Sequence, residues 1–150
     1  MRLRFIWIGK TKDRNWKALQ EEYLRRLSHF ARTEIIEIRD SAAHEGPDIE
    51  GERILATLNQ KTFAVLLDVK GDAISSEGLA GKIEEWQNRG IKEVSFIIGG
   101  ASGVSRRVAE TAEISLSLSF LTFTHEMART VLLEQLYRAY TIIKGFPYQK

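Results

Sequence analysis

Residues 94–103 read VSFIIGGASG, a run of strand length, apolar but for Ser95, that empties into glycines at 99, 100 and 103. A strand apolar on both faces belongs in a sheet covered by helices on both sides, as parallel sheets are. Two successive glycines weaken a strand unless something there needs them. Without a Cβ they let the backbone approach a ligand closely. Open α/β sheets bind ligands at the carboxyl ends of their strands. This stretch therefore marks both the interior of a sheet and the rim where a pocket is expected.

Upstream of it, Ser75 or Ser76 opens a helix with Leu79, Ile83 and Trp86 on one stripe, stopped by Gly90. Phe63–Val69 is another run of strand length, apolar but for Asp68. Ser41–Glu52, with Gly46, Pro47 and Gly51, is polar and turn-rich, and reads as a mobile loop entering a helix that carries Ile54, Leu55 and Leu58. Glu34–Ile38 is a short strand. From Asp13, a suitable N-cap, Trp16, Leu19, Tyr23, Leu24, Leu27 and Phe30 recur at helical spacing, and Leu3–Ile8 is the first strand. Downstream come a short helix, the strand-like run ISLSLSFLTF (114–123), the long helical stretch from His125 to Gly145, and the tail PYQK. Strand and helix alternate five times. That order predicts an α/β domain with a mostly parallel sheet and helices on both faces. No repeat, linker or low-complexity segment interrupts it, so one domain over 1–150 is expected.

Composition narrows the function. The chain has no cysteine, which excludes disulfides and thiolate metal sites and suits a reducing compartment. Its three histidines, His29, His44 and His125, show no metal-ligand spacing, so no metal is expected. Gly9 and Lys10 interrupt the opening MRLRFIWI before a signal-peptide core forms, and no run approaches membrane-spanning length. A soluble cytoplasmic protein without a membrane partner is expected. Net charge is only +2, but the first 39 residues are rich in Arg and Lys, with Arg2, Arg4, Lys10, Lys12, Arg25 and Arg26 as candidates for a basic face. GGASGVS is neither GxGxxG nor a P-loop, and there is no GxSxG elbow. The helix from His125 carries Val131, Leu132, Leu133, Leu136, Tyr137, Tyr140, Ile142 and Ile143, apolar nearly all round, which predicts cover on both sides and a two-fold homodimer centred on it.

The C-terminal half, IIGGASG followed by SLSLSFLTFTHEMAR and LLEQLYRAYTIIKGFPYQK, resembles the small single-domain SPOUT methyltransferases. The resemblance extends over the opening LRFIWIGKTK, the YLRRL helix and LLDVKG-x-x-x-SSEGLA, and is closest to the family that methylates N3 of a pseudouridine in large-subunit ribosomal RNA. It implies a C-terminal deep trefoil knot, a homodimer and S-adenosylmethionine as cofactor. It implies ribosomal RNA, within the large subunit or assembled ribosome, as partner. Carried over by position, it assigns the cofactor to Leu67, Gly99, Gly100, Leu118, Ser119, Phe120, Leu121, Thr122 and Phe123. It assigns the chemistry to His125, Arg138, Tyr148 and Gln149. The chain departs from the family pattern at Gln149, where a tail histidine is usual, and at Thr124, where proline usually precedes the helix. Glutamine donates and accepts hydrogen bonds but does not titrate. A SPOUT enzyme acting on another RNA such as tRNA, or a dimeric RNA- or nucleotide-binding module without turnover, are the alternative readings.

Overall fold

The computed structural model describes residues 1–42 and 44–148. Five strands and five helices alternate: β1 (Arg2–Ile8), α1 (Arg14–Leu27), β2 (Arg32–Ile38), α2 (Gly46–Thr57), β3 (Phe63–Ala73), α3 (Ser76–Asn88), β4 (Glu93–Ile98), α4 (Arg106–Thr111), β5 (Ile114–Ser117) and α5 (His125–Lys144). The sheet order is β2-β1-β4-β3-β5 and all pairings are parallel. Strand alternation sorts the core into two layers. Leu3, Phe5 and Trp7 of β1 and Val94, Phe96 and Ile98 of β4 face α1, α3 and α5, where Leu27, Ile83, Trp86, Leu133 and Leu136 are buried. Ile6, Ile8, Leu66 and Ile97 face α2 and α4, against Ile54 and Val108. Each such side chain, fully buried, contributes about 1.5–3 kcal/mol.

After β3 the chain passes to α3 on one face of the sheet, and after β4 to α4 on the other. The ends of these neighbouring strands therefore diverge, which is how an α/β sheet opens a crevice at its carboxyl rim. β3 deepens it with a bulge. Leu67 and Asp72 both pair opposite Leu116, so the residues between them leave the ladder. The bulged strand returns at Gly71, where a Cβ would sit 2.8 Å from the backbone of Ser115 and Leu116. Only glycine permits that approach.

Two expectations change. Ser41–Glu52 is not all loop: α2 begins at Gly46, with Pro47 in its first turn, where the missing N–H costs nothing. Its Glu50 carboxylate is buried and accepts from Ser41 N (3.1 Å) and Ser41 Oγ (3.0 Å). α5 is apolar nearly all round because its own chain covers it, α1 on one side and α3 on the other. What stays half-buried is an outer stripe through Met127, Val131, Glu134, Gln135, Arg138 and Ile142.

Candidate functional site

At the carboxyl rim a cavity of about 330 Å³ opens between the ends of β3, β4 and β5. That volume lies at the small end of the range for ligand pockets, about 300–1,000 Å³. Three chain segments build its walls. The first is the bulge of β3, which turns Asp68 and Val69 into the cavity beside Leu67. The second is the glycine turn after β4, from Gly99 to Val104, closed by Gly103 N–H donating to Gly100 C=O (3.0 Å). The third is the loop from Leu118 to Phe123. Its serines hold its shape: Ser117 Oγ donates to Ser119 O (2.9 Å), and Ser119 Oγ accepts from Leu121 N (3.0 Å).

Of the residues assigned to the cofactor, Leu67, Gly99, Gly100, Leu118, Ser119, Leu121, Thr122 and Phe123 line this cavity. Phe120 does not; its ring points to solvent, 78% exposed. The glycines act differently from the sequence expectation. A Cβ at Gly99 would lie 2.7 Å from Val104 Cγ1 and 3.0 Å from the Gly103 carbonyl, and one at Gly100 would lie 3.0 Å from Glu50 Oε1. Their missing side chains let the turn fold against itself and against α2, while their backbone forms the cavity wall. Asp68, Val69, Ala101, Val104 and Ala128 also line the cavity and were not singled out from sequence. The signal for the bulge was Gly71, read only as part of a resemblance.

The electrostatics of the cavity are distinctive. Among the described residues its walls carry one carboxylate, Asp68, and one imidazole, His125, but no lysine or arginine. His125 is the first residue of α5, whose N-cap Thr124 accepts from Met127 N (3.4 Å) through Oγ1. One turn on, Arg129 is buried and ties the start of α5 to the end of β1. It donates to Ile8 O and to Thr11 Oγ1 (3.1 Å), with its guanidinium 4.9 Å from the Trp7 ring centre. Burial lowers its pKa from the ordinary arginine value.

Arg138 and Tyr148 lie elsewhere. Thirteen residues of helix separate His125 from Arg138, about 20 Å of rise. Both gather round Glu134: Arg138 donates to its Oε1 through Nε (3.1 Å) and Nη2 (2.6 Å), and Tyr148 through its hydroxyl (3.0 Å). The Tyr148 phenol is pushed up by burial and by hydrogen bonds with Tyr23 and Glu134, and Glu134 raises the Arg138 guanidinium. Gln149 lies outside the described residues. The proposed basic face divides. Arg2 and Arg4 sit at the opposite rim, paired with Glu34 and Glu93, and Arg25 and Arg26 both pair with Glu22. Lys10 and Lys12 remain, exposed just after β1 and without an ion pair among the described residues. Among the described residues no group of three or more His, Asp or Glu could hold a metal, and no helix is long and apolar enough to cross a membrane.

Residues 1–149 match the family described as "Predicted SPOUT methyltransferase". The chain is similar over its whole length, and over the whole length of each relative, to proteins named ribosomal RNA large subunit methyltransferase H. It is 42% identical to that of Carboxydothermus hydrogenoformans, 40% to that of Halothermothrix orenii and 41% to that of Desulfotalea psychrophila. Among solved structures, a probable methylase family protein from Haemophilus influenzae superposes with a TM-score of 0.59 at 11% identity. The match covers 99% of this chain and 70% of that one, and is a likeness of fold.

Proposed function

The chain belongs to the SPOUT methyltransferase family, and on that premise we propose that it transfers a methyl group from S-adenosylmethionine to N3 of a pseudouridine in large-subunit ribosomal RNA. The names of its full-length relatives support the RNA, and the resemblance supplies the atom. One observation carries the cofactor: among the described residues the cavity walls hold a carboxylate and no cationic side chain. A phosphate there would rest on backbone N–H groups rather than lysine or arginine, with the Asp68 carboxylate nearby. A ligand with a positive sulfonium and ammonium and a flat apolar ring is suited by Asp68 and by walls of leucine, glycine and phenylalanine.

When bound, that cofactor supplies an activated methyl on sulfur. The protein's part is then chiefly to hold the acceptor in line with it and to keep water out. The Gly99–Val104 turn and the Leu118–Phe123 loop would take the adenosine between them, with main-chain groups reading its edge. Asp68 would face the positive end. His125, at the cavity mouth, would orient the loop or meet the acceptor. Arg138, Tyr148 and Gln149 would serve the acceptor side, since Arg138 stands well along α5 from this cavity and Tyr148 joins it at Glu134. The imide proton of the acceptor must leave for nitrogen to attack, so a base or stabilising donors are needed near it.

The remaining parts of the reading are a single domain over the whole chain, a homodimer and a knot. The outer stripe of α5 is the face through which two copies would meet, continuous with the Glu134 cluster. Support for the knot comes from the path of the chain. It leaves β5 at one edge of the sheet and begins α5 beside the end of β1, where Glu126 accepts from Lys12 N and Arg129 holds Ile8 O. That path crosses the turn after β4, and passing beneath it closes a trefoil, a rare topology. Action on ribosomal RNA implies a cytoplasmic protein.

Nucleoside mass spectrometry of large-subunit ribosomal RNA from a strain lacking the gene tests the function. Loss of one methylated pseudouridine is expected. A change confined to tRNA would redirect the reading to another RNA, and no change would reject turnover. Sedimentation as a monomer at micromolar concentration would reject the dimer.

A further inference from the structure

Behind the glycine wall of the cavity, on the face of the sheet covered by α2 and α4, stands a buried carboxylate that methyl transfer leaves without a task. Glu50, in the first half of α2, is 8% exposed and forms no ion pair among the described residues. Its Oε2 is held by Ser41, while its Oε1 reaches Gly100, where a Cβ would lie 3.0 Å away. The next residue, Gly51, marks a second close approach. Glycine inside a helix is unfavourable on propensity alone. Here it lets α2 come against Ser105: a Cβ would fall 2.3 Å from Ser105 Oγ and 2.8 Å from Ser105 Cβ. Ser105 in turn caps α4, its Oγ accepting from Val108 N (3.3 Å). Two consecutive residues of α2 thus bear on both ends of the segment 100–105, which carries the second wall of the cavity.

We infer that Glu50 is a positioning residue for the cofactor: with Gly51 beside it, it fixes the Gly99–Val104 turn from behind. The inference rests on the cofactor reading above. A buried carboxylate without a cationic partner is destabilising by itself, and an apolar side chain of similar volume would serve the core as well or better. What the carboxylate adds is direction. With one oxygen bound by both the N–H and the hydroxyl of Ser41, the group is held in one orientation, and its other oxygen is kept against Gly100. The turn needs such a stop. Gly99, Gly100 and Gly103 make it pliable, and its closing bond, from Gly103 N–H to Gly100 C=O, ties it only to itself. A wall ordered before the ligand arrives does not have to be ordered at binding. Glu50 does not line the cavity; it acts through Gly100.

The test is made on the full-length enzyme with S-adenosylmethionine and large ribosomal subunits. Glu50→Ala should weaken cofactor affinity by calorimetry about three- to tenfold, the size expected when a wall must be ordered at binding. The KM for cofactor should rise alike, with kcat at saturation within about twofold of wild type. Glu50→Asp keeps the charge but is a methylene too short to span from Ser41 to Gly100. It should weaken affinity in the same direction, and it decides the matter if the alanine variant misfolds. Glu50→Gln keeps the length and one oxygen for Ser41, and should recover most of the affinity. Leu58→Ala, at the other end of α2 in the same core layer, is the control: it should lower the melting temperature and leave affinity alone. In the ligand-free protein, the amide resonances of Gly99, Gly100 and Gly103 should move in Glu50→Ala or Glu50→Asp and stay in Leu58→Ala. Unchanged affinity in the alanine and aspartate variants, or an equal loss in Leu58→Ala, overturns the assignment. A glutamine variant as weak as the alanine one also overturns it, because charge rather than position would then be at work. A wild-type enzyme that binds no S-adenosylmethionine overturns the cofactor reading instead, and the assignment with it.

Discussion

The two rims of the sheet treat charge in opposite ways. At the amino ends of the strands, Arg4 is buried and fully engaged: it pairs with Glu34 (3.0 Å) and Glu93 (3.5 Å) and donates to Thr57 O (2.9 Å). Arg2 joins the same carboxylates, and Asn59 donates to Glu93 (2.7 Å). At the carboxyl ends, Asp68, Lys10 and Lys12 have no ion pair among the described residues. One rim is closed by its own side chains; at the other, apart from the Arg53–Glu45 pair (3.3 Å) past the end of β2, these charges face solvent. A parallel sheet invites this division, because its loops diverge only at the carboxyl rim.

The comparison breaks most sharply at the glycine turn. Gly99→Val sets a branched side chain against Val104 and the Gly103 carbonyl, so the turn must open and the cavity wall moves. Cofactor affinity should fall about 100-fold or more, equivalent to roughly 3 kcal/mol. Calorimetry showing unchanged affinity would put the cofactor somewhere else.

Arg129 is another exception at the carboxyl rim, a buried cation with hydrogen bonds but no ion pair among the described residues. Arg129→Met keeps the volume over Trp7 but strands the Ile8 carbonyl, and should cost about 1–3 kcal/mol of stability in urea unfolding. Because His125 and Ala128 lie on the same first turns and line the cavity, cofactor affinity should weaken alongside. Loss of stability with full affinity would mean that the strut serves the fold alone.

Much of this architecture is legible in residue order. Largely apolar runs such as 63–67 and 94–98, alternating with helical periodicities, identify a covered parallel sheet, because burial on both faces leaves that pattern in each strand separately. The glycines after residue 98 mark the rim for the same local reason. What stays hidden depends on partners distant in sequence. The bulge that turns Asp68 into the cavity exists because β3 pairs twice against Leu116, nearly fifty residues on. Arg2 and Arg4 read as a basic face until Glu34 and Glu93 are beside them. The apolar girth of α5 does not tell which of its faces are covered by α1 and α3 of the same chain. Phe120 and Phe123, three residues apart in one apolar loop, look alike in sequence, yet the first faces solvent and the second lines the cavity.

At the closed rim, Arg4→Met should destabilise the protein by about 1–2 kcal/mol near neutral pH through the lost bond to Thr57 O, while cofactor affinity and RNA methylation stay as they were. The pH dependence has a definite sign. The Arg4 guanidinium holds the Glu34 carboxyl below its usual range. A carboxyl depressed in the folded state stabilises above the unfolded pKa, about 4.3, and that contribution is lost as pH falls through the folded value. The gap between wild type and variant should therefore be constant above about pH 5 and narrow below about pH 4. A gap that widens in acid would contradict the pairing.

The smallest effect belongs to Lys10 and Lys12, and it separates the two kinds of surface charge most cleanly. Each phosphate contact releases condensed counterions, so each lysine that meets RNA adds roughly 0.7–0.9 to the slope of log affinity against log salt. Replacing both by alanine should lower that slope by roughly 1.5 and weaken RNA binding severalfold at physiological salt. Cofactor affinity should not change, since neither lysine lines the cavity. Arg25→Ala is the matched control: its guanidinium is already spent on Glu22 (2.8 Å), on the surface of α1. It should leave the salt slope alone. Binding of large ribosomal subunits, measured across a salt series for wild type and both variants, decides the point. A slope that responds to Arg25 as much as to the two lysines would mean that ion pairing within the subunit does not determine which cations meet RNA.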